Sequence, residues 1–217
     1  MTAARLGNAL QQRLEQLYDL DLGHRVSDFI FSDPELAARL RGPGHRGACE
    51  QLLLCEEPGA LSISVFLDAG VLERLVRRDP LIALDDDSLD ALGLIIEGVS
   101  HFVCLIWHAQ NGRSCTQLEL ELQAEIDKFA LMHELLREQR GQVPADLRQR
   151  LFERVSFASD LPTDEGRRYR DANTWAARFC AALQQQFAGR LDHPDARSLL
   201  RRFFRWAQPQ KFAWMQR

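Results

Sequence analysis

Glu97 and His101 stand four residues apart in the stretch IIEGVSHFVCLIWHAQ, and Cys104 and His108 continue the same line at spacings of three and four. On a helix, side chains at i and i+4 lie one above the other on a single face. A carboxylate and an imidazole so placed can share one divalent metal ion or one hydrogen bond. After an Asn111-Gly112 turn, a second helical pattern carries the acid-rich run ELELQAEID, residues 119–127. With Leu118, Leu122, Ile126, Phe129 and Leu136 as its core face, Glu125 falls at the margin of that face, Glu121 lies farther round and Asp127 points away. Glu125 is therefore the acid expected to look toward the preceding helix. A carboxylate at a buried edge needs a partner or a metal, and Glu97, His101 and Glu125 form the candidate ligand set for a divalent ion such as zinc. The plain alternative is a Glu–His pair on a solvated helix face, worth only about a few tenths of a kcal/mol. His133 falls inside the core face and reads as a satisfied core histidine.

The text around these residues resembles the zincin-like metallopeptidases of the ImmA/IrrE type. There an HExGH helix follows a small sheet and is succeeded by a helix reading approximately E-A-(D/N)-x-F-A-x-x-L-L. EGVSH, residues 97–101, falls where HExGH would stand. EIDKFALMHELL, residues 125–136, resembles the second motif through Glu125, Asp127, Phe129, Ala130 and the Leu135-Leu136 pair. The resemblance implies ligand positions for His101 and Glu125 and a zincin-like core. Glu97 stands where the first zinc-binding histidine belongs, and Gly98 stands where the general-base glutamate belongs. A peptidase of that kind needs a carboxylate to activate metal-bound water, so no ordinary peptidase activity is expected. A metal on Glu97, His101 and Glu125 stays compatible with the pattern, because a carboxylate oxygen can replace an imidazole. Two other chemistries fit less well. A di-iron bundle needs Glu-x-x-His on two helices, and that spacing does not occur. Cys104 with His101 or His108 is poorly placed for a nucleophile and its base on one helix.

The elements that must position these residues read as α+β, predominantly helical, with a small antiparallel N-terminal sheet of about three strands and a helical C-terminal half. Leu6, Leu10, Leu14 and Leu17 repeat at helical spacing, predicting a helix over 3–19. A first strand is expected near 25–31, and Asp33-Pro34 opens a short helix over 34–41. RGPGHRG, 41–47, is a loop by composition. Residues 50–56 and 60–67 form a hairpin through Glu57-Pro58-Gly59, with Leu61, Ile63, Val65 and Leu67 inward and Ser62, Ser64 and Phe66 outward. Asp68 caps a helix over 69–78. Helices follow over 88–109 and from the Ser114/Gln117 capping box to Gln139, closed by Gly141. A short helix runs from Pro144 to Val155, another starts at PTDE, 162–165, and a last one runs from Pro194 to Pro209. One domain is expected over 1–217, with residues 1–85 holding the sheet and 86–217 the candidate site.

The whole chain carries a formal net charge of −4, with 46% hydrophobic and 27% charged residues. That excludes a global electrostatic attraction to nucleic acid or anionic membranes. Charge is unevenly placed: residues 79–130 carry ten acids against two bases, and residues 196–217 carry six Arg/Lys and no acid. Five scattered cysteines without CxxC suit a reducing compartment. The amphipathic start lacks a signal peptide's apolar core, and no apolar run approaches the roughly 18 residues of a membrane span. A cytoplasmic protein is expected. Its tail interleaves Arg201, Arg202, Arg205 and Lys211 with Phe203, Phe204, Trp206, Phe212 and Trp214. Leu199, Phe203 and Trp206 can dock that helix on the body. Arg201, Arg205, Trp206, Phe212 and Trp214 are the candidate partner-binding residues, since Phe212 and Trp214 lie beyond Pro209 as possible anchors. The leading expectation is a non-catalytic interaction or regulatory protein with a protein partner. The alternatives are a metal-dependent hydrolase using Glu97, His101 and Glu125, and nucleic-acid binding through the basic aromatic tail.

Overall fold

The computed structural model describes residues 2–42, 47–57, 60–154 and 163–216. Helix α1 (Ala3–Tyr18) buries Leu6, Leu10, Leu14 and Leu17 along one stripe, with Thr2 as its N-cap. A single 3-10 turn over Val26–Asp28 and a two-residue strand β1 (Ile30–Phe31) replace the longer strand expected at 25–31. Helix α2 (Pro34–Arg41) starts where Asp33 Oδ1 accepts the backbone N–H groups of Glu35 and Leu36. The 41–47 loop falls mostly outside the described residues, as do Pro58 and Gly59 of the expected hairpin turn.

Strands β2 (Glu50–Glu57) and β3 (Ala60–Leu67) pair antiparallel, with Glu50 opposite Leu67 and Leu52 opposite Val65. β1 joins the other edge of β3 in parallel, so the sheet is mixed, in the order β1-β3-β2. The expected alternation along β3 does not hold. Burial rises instead from the exposed residues 60–62 to Val65, Phe66 and Leu67, which are all buried: α4 packs on the sheet, and Phe66 lies beside Phe31 of β1.

Asp68 caps helix α3 (Ala69–Arg77), and a 3-10 turn over Asp86–Ser88 leads into α4 (Leu89–Gln110). α4 is the central element: α1, α3, both long strands and the antiparallel-connected α5 (Gln117–Arg140) all pack on it. Over residues 86–110 its composition reaches that of a membrane-spanning helix, contrary to the sequence reading. The apolar window is 78% buried inside the fold, as in a core helix. α5 is capped by Thr116 with Glu119 in a reciprocal capping box, two residues beyond the expected Ser114/Gln117, and Gly141 closes it in the left-handed region.

Helix α6 (Leu147–Phe152) is shorter than expected, and its predicted end at Val155 lies outside the described residues, as does Pro162. Helices α7 (Thr163–Gln186), α8 (Pro194–Arg205) and α9 (Gln208–Met215) complete the chain. Pro209 does not end the structure; it sits in the first turn of α9, where a missing N–H costs nothing. One hydrophobic cluster runs from Leu6 to Met215 through every long helix.

Candidate metal centre

His101 lies on the face of α4 turned toward β2 and α5. Its Nδ1 is 3.3 Å from Oε1 of Glu50, the first residue of β2, and both side chains are only 7% exposed. A carboxylate accepts there, so Nδ1 carries the proton and Nε2 faces the opposite way, toward α5. That Nε2 is buried and makes no hydrogen bond among the described residues. The nearest carboxylate oxygen is Oε2 of Glu121, at 3.7 Å, too long for a hydrogen bond. Ligands about 2.1 Å from a shared tetrahedral ion lie about 3.4 Å from one another, so the gap is close to a metal's. Glu97 completes the group, and the donor atoms of Glu97, His101 and Glu121 all lie within 4.8 Å of one another.

The glycine at position 98 makes this approach possible. A Cβ there would stand 3.0 Å from Val65 Cγ1, 3.2 Å from Glu50 Cγ and 3.2 Å from Leu67 Cδ2. A larger side chain would crowd these three, the stem of Glu50 among them. The residue that departs from the peptidase pattern is thus the one that lets strand and helix meet.

Around the histidine the charges do not balance. Lys128 on α5 donates to Glu97 Oε2 at 3.1 Å and to Glu125 Oε1 at 2.6 Å. Among the described residues, Glu50, Glu97, Glu121 and Glu125 are four carboxylates paired with one ammonium and one imidazole. Burial opposes protonation of His101, but the Glu50 and Glu121 carboxylates outweigh it and hold its pKa well above the usual value. Burial pushes Glu50 up despite His101. It acts the same way on Glu97, where Lys128 and His101 overcome it and bring the carboxyl below its usual value. Burial also raises Glu125. A cluster of this composition still lacks positive charge when the imidazole is protonated, and buried carboxylates without compensation are costly. The open side is the α4–α5 rim, where Glu97 and Glu121 are 18% and 13% exposed.

Neither a family model, nor a curated protein, nor a solved structure matches the chain. The zincin likeness therefore rests on residues 97–136 alone.

Of the three candidate ligands, the structure brings Glu97 and His101 together and puts Glu121 with them; Glu125 turns to Lys128 instead. Sequence reasoning missed Glu50, Glu121 and Lys128. Glu121, Glu125 and Lys128 follow one another at i, i+4 and i+7, a signal that one face of α5 is polar. Glu50 left no local signal. Asp127, expected to point away, is fully buried: it accepts from Ser100 Oγ at 2.6 Å, from Gln123 at 2.9 Å and from the Tyr18 hydroxyl. Its helix face is enclosed by α1, which no single-helix wheel reveals. His133 is a satisfied core histidine, with Nε2 2.9 Å from the Gly189 carbonyl.

The candidate partner-binding residues make internal contacts. Arg201 donates to the Leu17 and Gln16 carbonyls and Arg205 to that of Asp19, capping the C-terminal end of α1. Trp206 lies against Phe203, Phe212 against Trp175 and Trp214 against Phe179, with ring centroids 5.9, 5.3 and 5.1 Å apart.

Proposed function

We propose that this chain binds one divalent metal ion between α4 and α5, through His101 Nε2 and the carboxylates of Glu97 and Glu121, and is a metal-dependent hydrolase. The observation that carries the reading is His101 Nε2, buried and without a hydrogen bond among the described residues, with Glu121 3.7 Å away and Glu97 in the same group of donor atoms, while Glu50 holds the opposite nitrogen. A carboxylate on the far nitrogen of a ligating histidine fixes the ring and its tautomer. One nitrogen and two oxygens with an open rim form a catalytic donor set, unlike the closed, cysteine-rich sets of structural zinc. A metal held there supplies Lewis-acid character and lowers the pKa of its bound water to about 7. Hydrolysis therefore does not require a carboxylate at position 98, though the peptidase reaction of the resemblance does. Glu50 orients His101, and Lys128 keeps Glu97 ionised. A cytoplasmic location belongs to this reading, supported by five free cysteines.

The test is to chelate the purified protein and assay it against ester, amide and phosphoester probes before and after zinc or manganese is restored. Turnover should disappear on chelation, return with metal and remain absent in His101→Ala. Turnover indifferent to chelation, or none with any metal and probe, counts against it.

A second reading retains the interaction function and moves it from the aromatics to the arginines. Arg197, Arg201, Arg202 and Arg205 line a depression of about 490 Å³ along α8 together with Asp192; Arg197 also pairs with Glu134, while Arg201 and Arg205 donate to α1 and its C-cap. This favours an acidic protein partner. Salt-sensitive retention on a polyglutamate matrix, weakened in Arg202→Ala, supports it. Retention on nucleic acid alone transfers the face to that class, and retention on neither removes the reading.

A further inference from the structure

Beyond His101 on α4, Cys104 and His108 meet Cys115 from the loop between α4 and α5. One donor atom from each residue, the two Sγ atoms and a ring nitrogen of His108, lies within 4.8 Å of the others. Cys104 and His108 are 1% and 2% exposed, and Cys115 is half-buried. His108 Nδ1 stands 3.0 Å from the Ser114 carbonyl, which can only accept. Nδ1 therefore carries the proton, and the neutral ring presents a lone pair at Nε2. That Nε2 is buried and has no hydrogen-bond partner among the described residues. An imidazole lone pair left unused beside two thiols is costly on its own, and a metal ion would satisfy it.

The loop that brings Cys115 round is pinned at both ends. Arg113 N–H bonds the His108 carbonyl at 2.9 Å, and Thr116, next to Cys115, is locked in the α5 capping box.

We infer that Cys104, His108 and Cys115 form a second metal site, distinct from the one at His101, that takes zinc or a similarly thiophilic ion and leaves a fourth position for water or an added ligand. Two thiolates cancel the charge of a divalent ion, so the complex can be buried without net charge. Thiolate donors select zinc over harder ions such as manganese or magnesium, which prefer oxygen. The two sites therefore differ in the ions they favour and share no ligand.

Cobalt(II) added to the reduced full-length chain tests this, because thiolate-bound tetrahedral cobalt absorbs strongly in the near-ultraviolet and visible. The expected result is thiolate-to-cobalt charge-transfer absorption that disappears when zinc is added, persists in His101→Ala, where it saturates at one ion per chain, and is absent in Cys115→Ser. Persistence in His101→Ala keeps the outcome separate from that of the hydrolase reading. Cys115 is chosen over the buried Cys104 so that the variant folds, which circular dichroism checks. A second measurement needs no variant: zinc should slow modification of Cys115 by a thiol reagent by about tenfold or more, since a metal-bound thiolate is withdrawn from attack. No charge-transfer absorption, absorption unchanged in Cys115→Ser, or equal thiol reactivity with and without zinc would overturn the inference.

Discussion

Gly98 and Asp127 show how far single residues govern this structure. Replacing Gly98 by alanine returns about 1 kcal/mol of helix propensity. The new Cβ would crowd Val65, Glu50 and Leu67, and overpacking of that kind costs about 1–3 kcal/mol. Gly98→Ala should therefore be less stable than the parent by up to about 2 kcal/mol in urea unfolding, whereas an equal or higher midpoint would show that the sheet yields. Asp127 makes a different prediction. Burial raises its pKa from 3.8 to about 6, against the pull of its hydroxyl and amide donors. Between those values the folded state holds a proton that the unfolded chain has released, so this residue's contribution falls as pH rises from about 4 to about 6 and is constant on either side. A two-unit shift corresponds to about 3 kcal/mol. Asp127→Asn should lose that slope, read as the difference between parent and variant urea midpoints across this pH range. Parallel curves would place the titration elsewhere.

At the scale of elements, much was legible because the signals were local. Asp33-Pro34, Asp68 and Gly141 bound their helices as expected, and the β2–β3 hairpin was readable from its strand composition. What failed were judgements of facing. The wheel for α5 assumed one apolar side, but Leu120, Gln123, Asp127 and Leu131 are buried as well as Leu122 and Ile126. A helix enclosed nearly all round does not disclose which neighbour each face meets, and so Glu125 was expected where Glu121 stands. The role of Glu50 depends on a pairing 51 positions away in sequence. α9 was misread for a related reason: Pro209 looked like a stop, and its aromatics like free anchors. Since Phe212 and Trp214 pack on Trp175 and Phe179, Phe212→Ala should cost about 1–3 kcal/mol in thermal or urea unfolding. Unchanged stability would mean that the tail is not docked in solution.

Across the whole molecule, α4 joins the sheet to the helical half and carries a hard donor set at one level and a soft one farther along. The acids of residues 79–130 divide between the entry to α4, residues 79–90, and the α4–α5 pair, and the basic tail is spent partly on capping α1. The central claim is that a cation completes the His101 cluster, with Glu121 and not Glu125 as its third ligand. Manganese(II), which prefers oxygen and nitrogen to thiolate, reads this site without the cysteines. Calorimetric titration of the metal-free protein should show one manganese per chain. Binding should weaken by more than about a hundredfold in Glu121→Gln and by about ten- to a hundredfold in Glu50→Gln, the histidine's orienting partner, and change little in Glu125→Gln. No binding by the parent chain, or binding lost with Glu125 and kept without Glu121, would contradict the account.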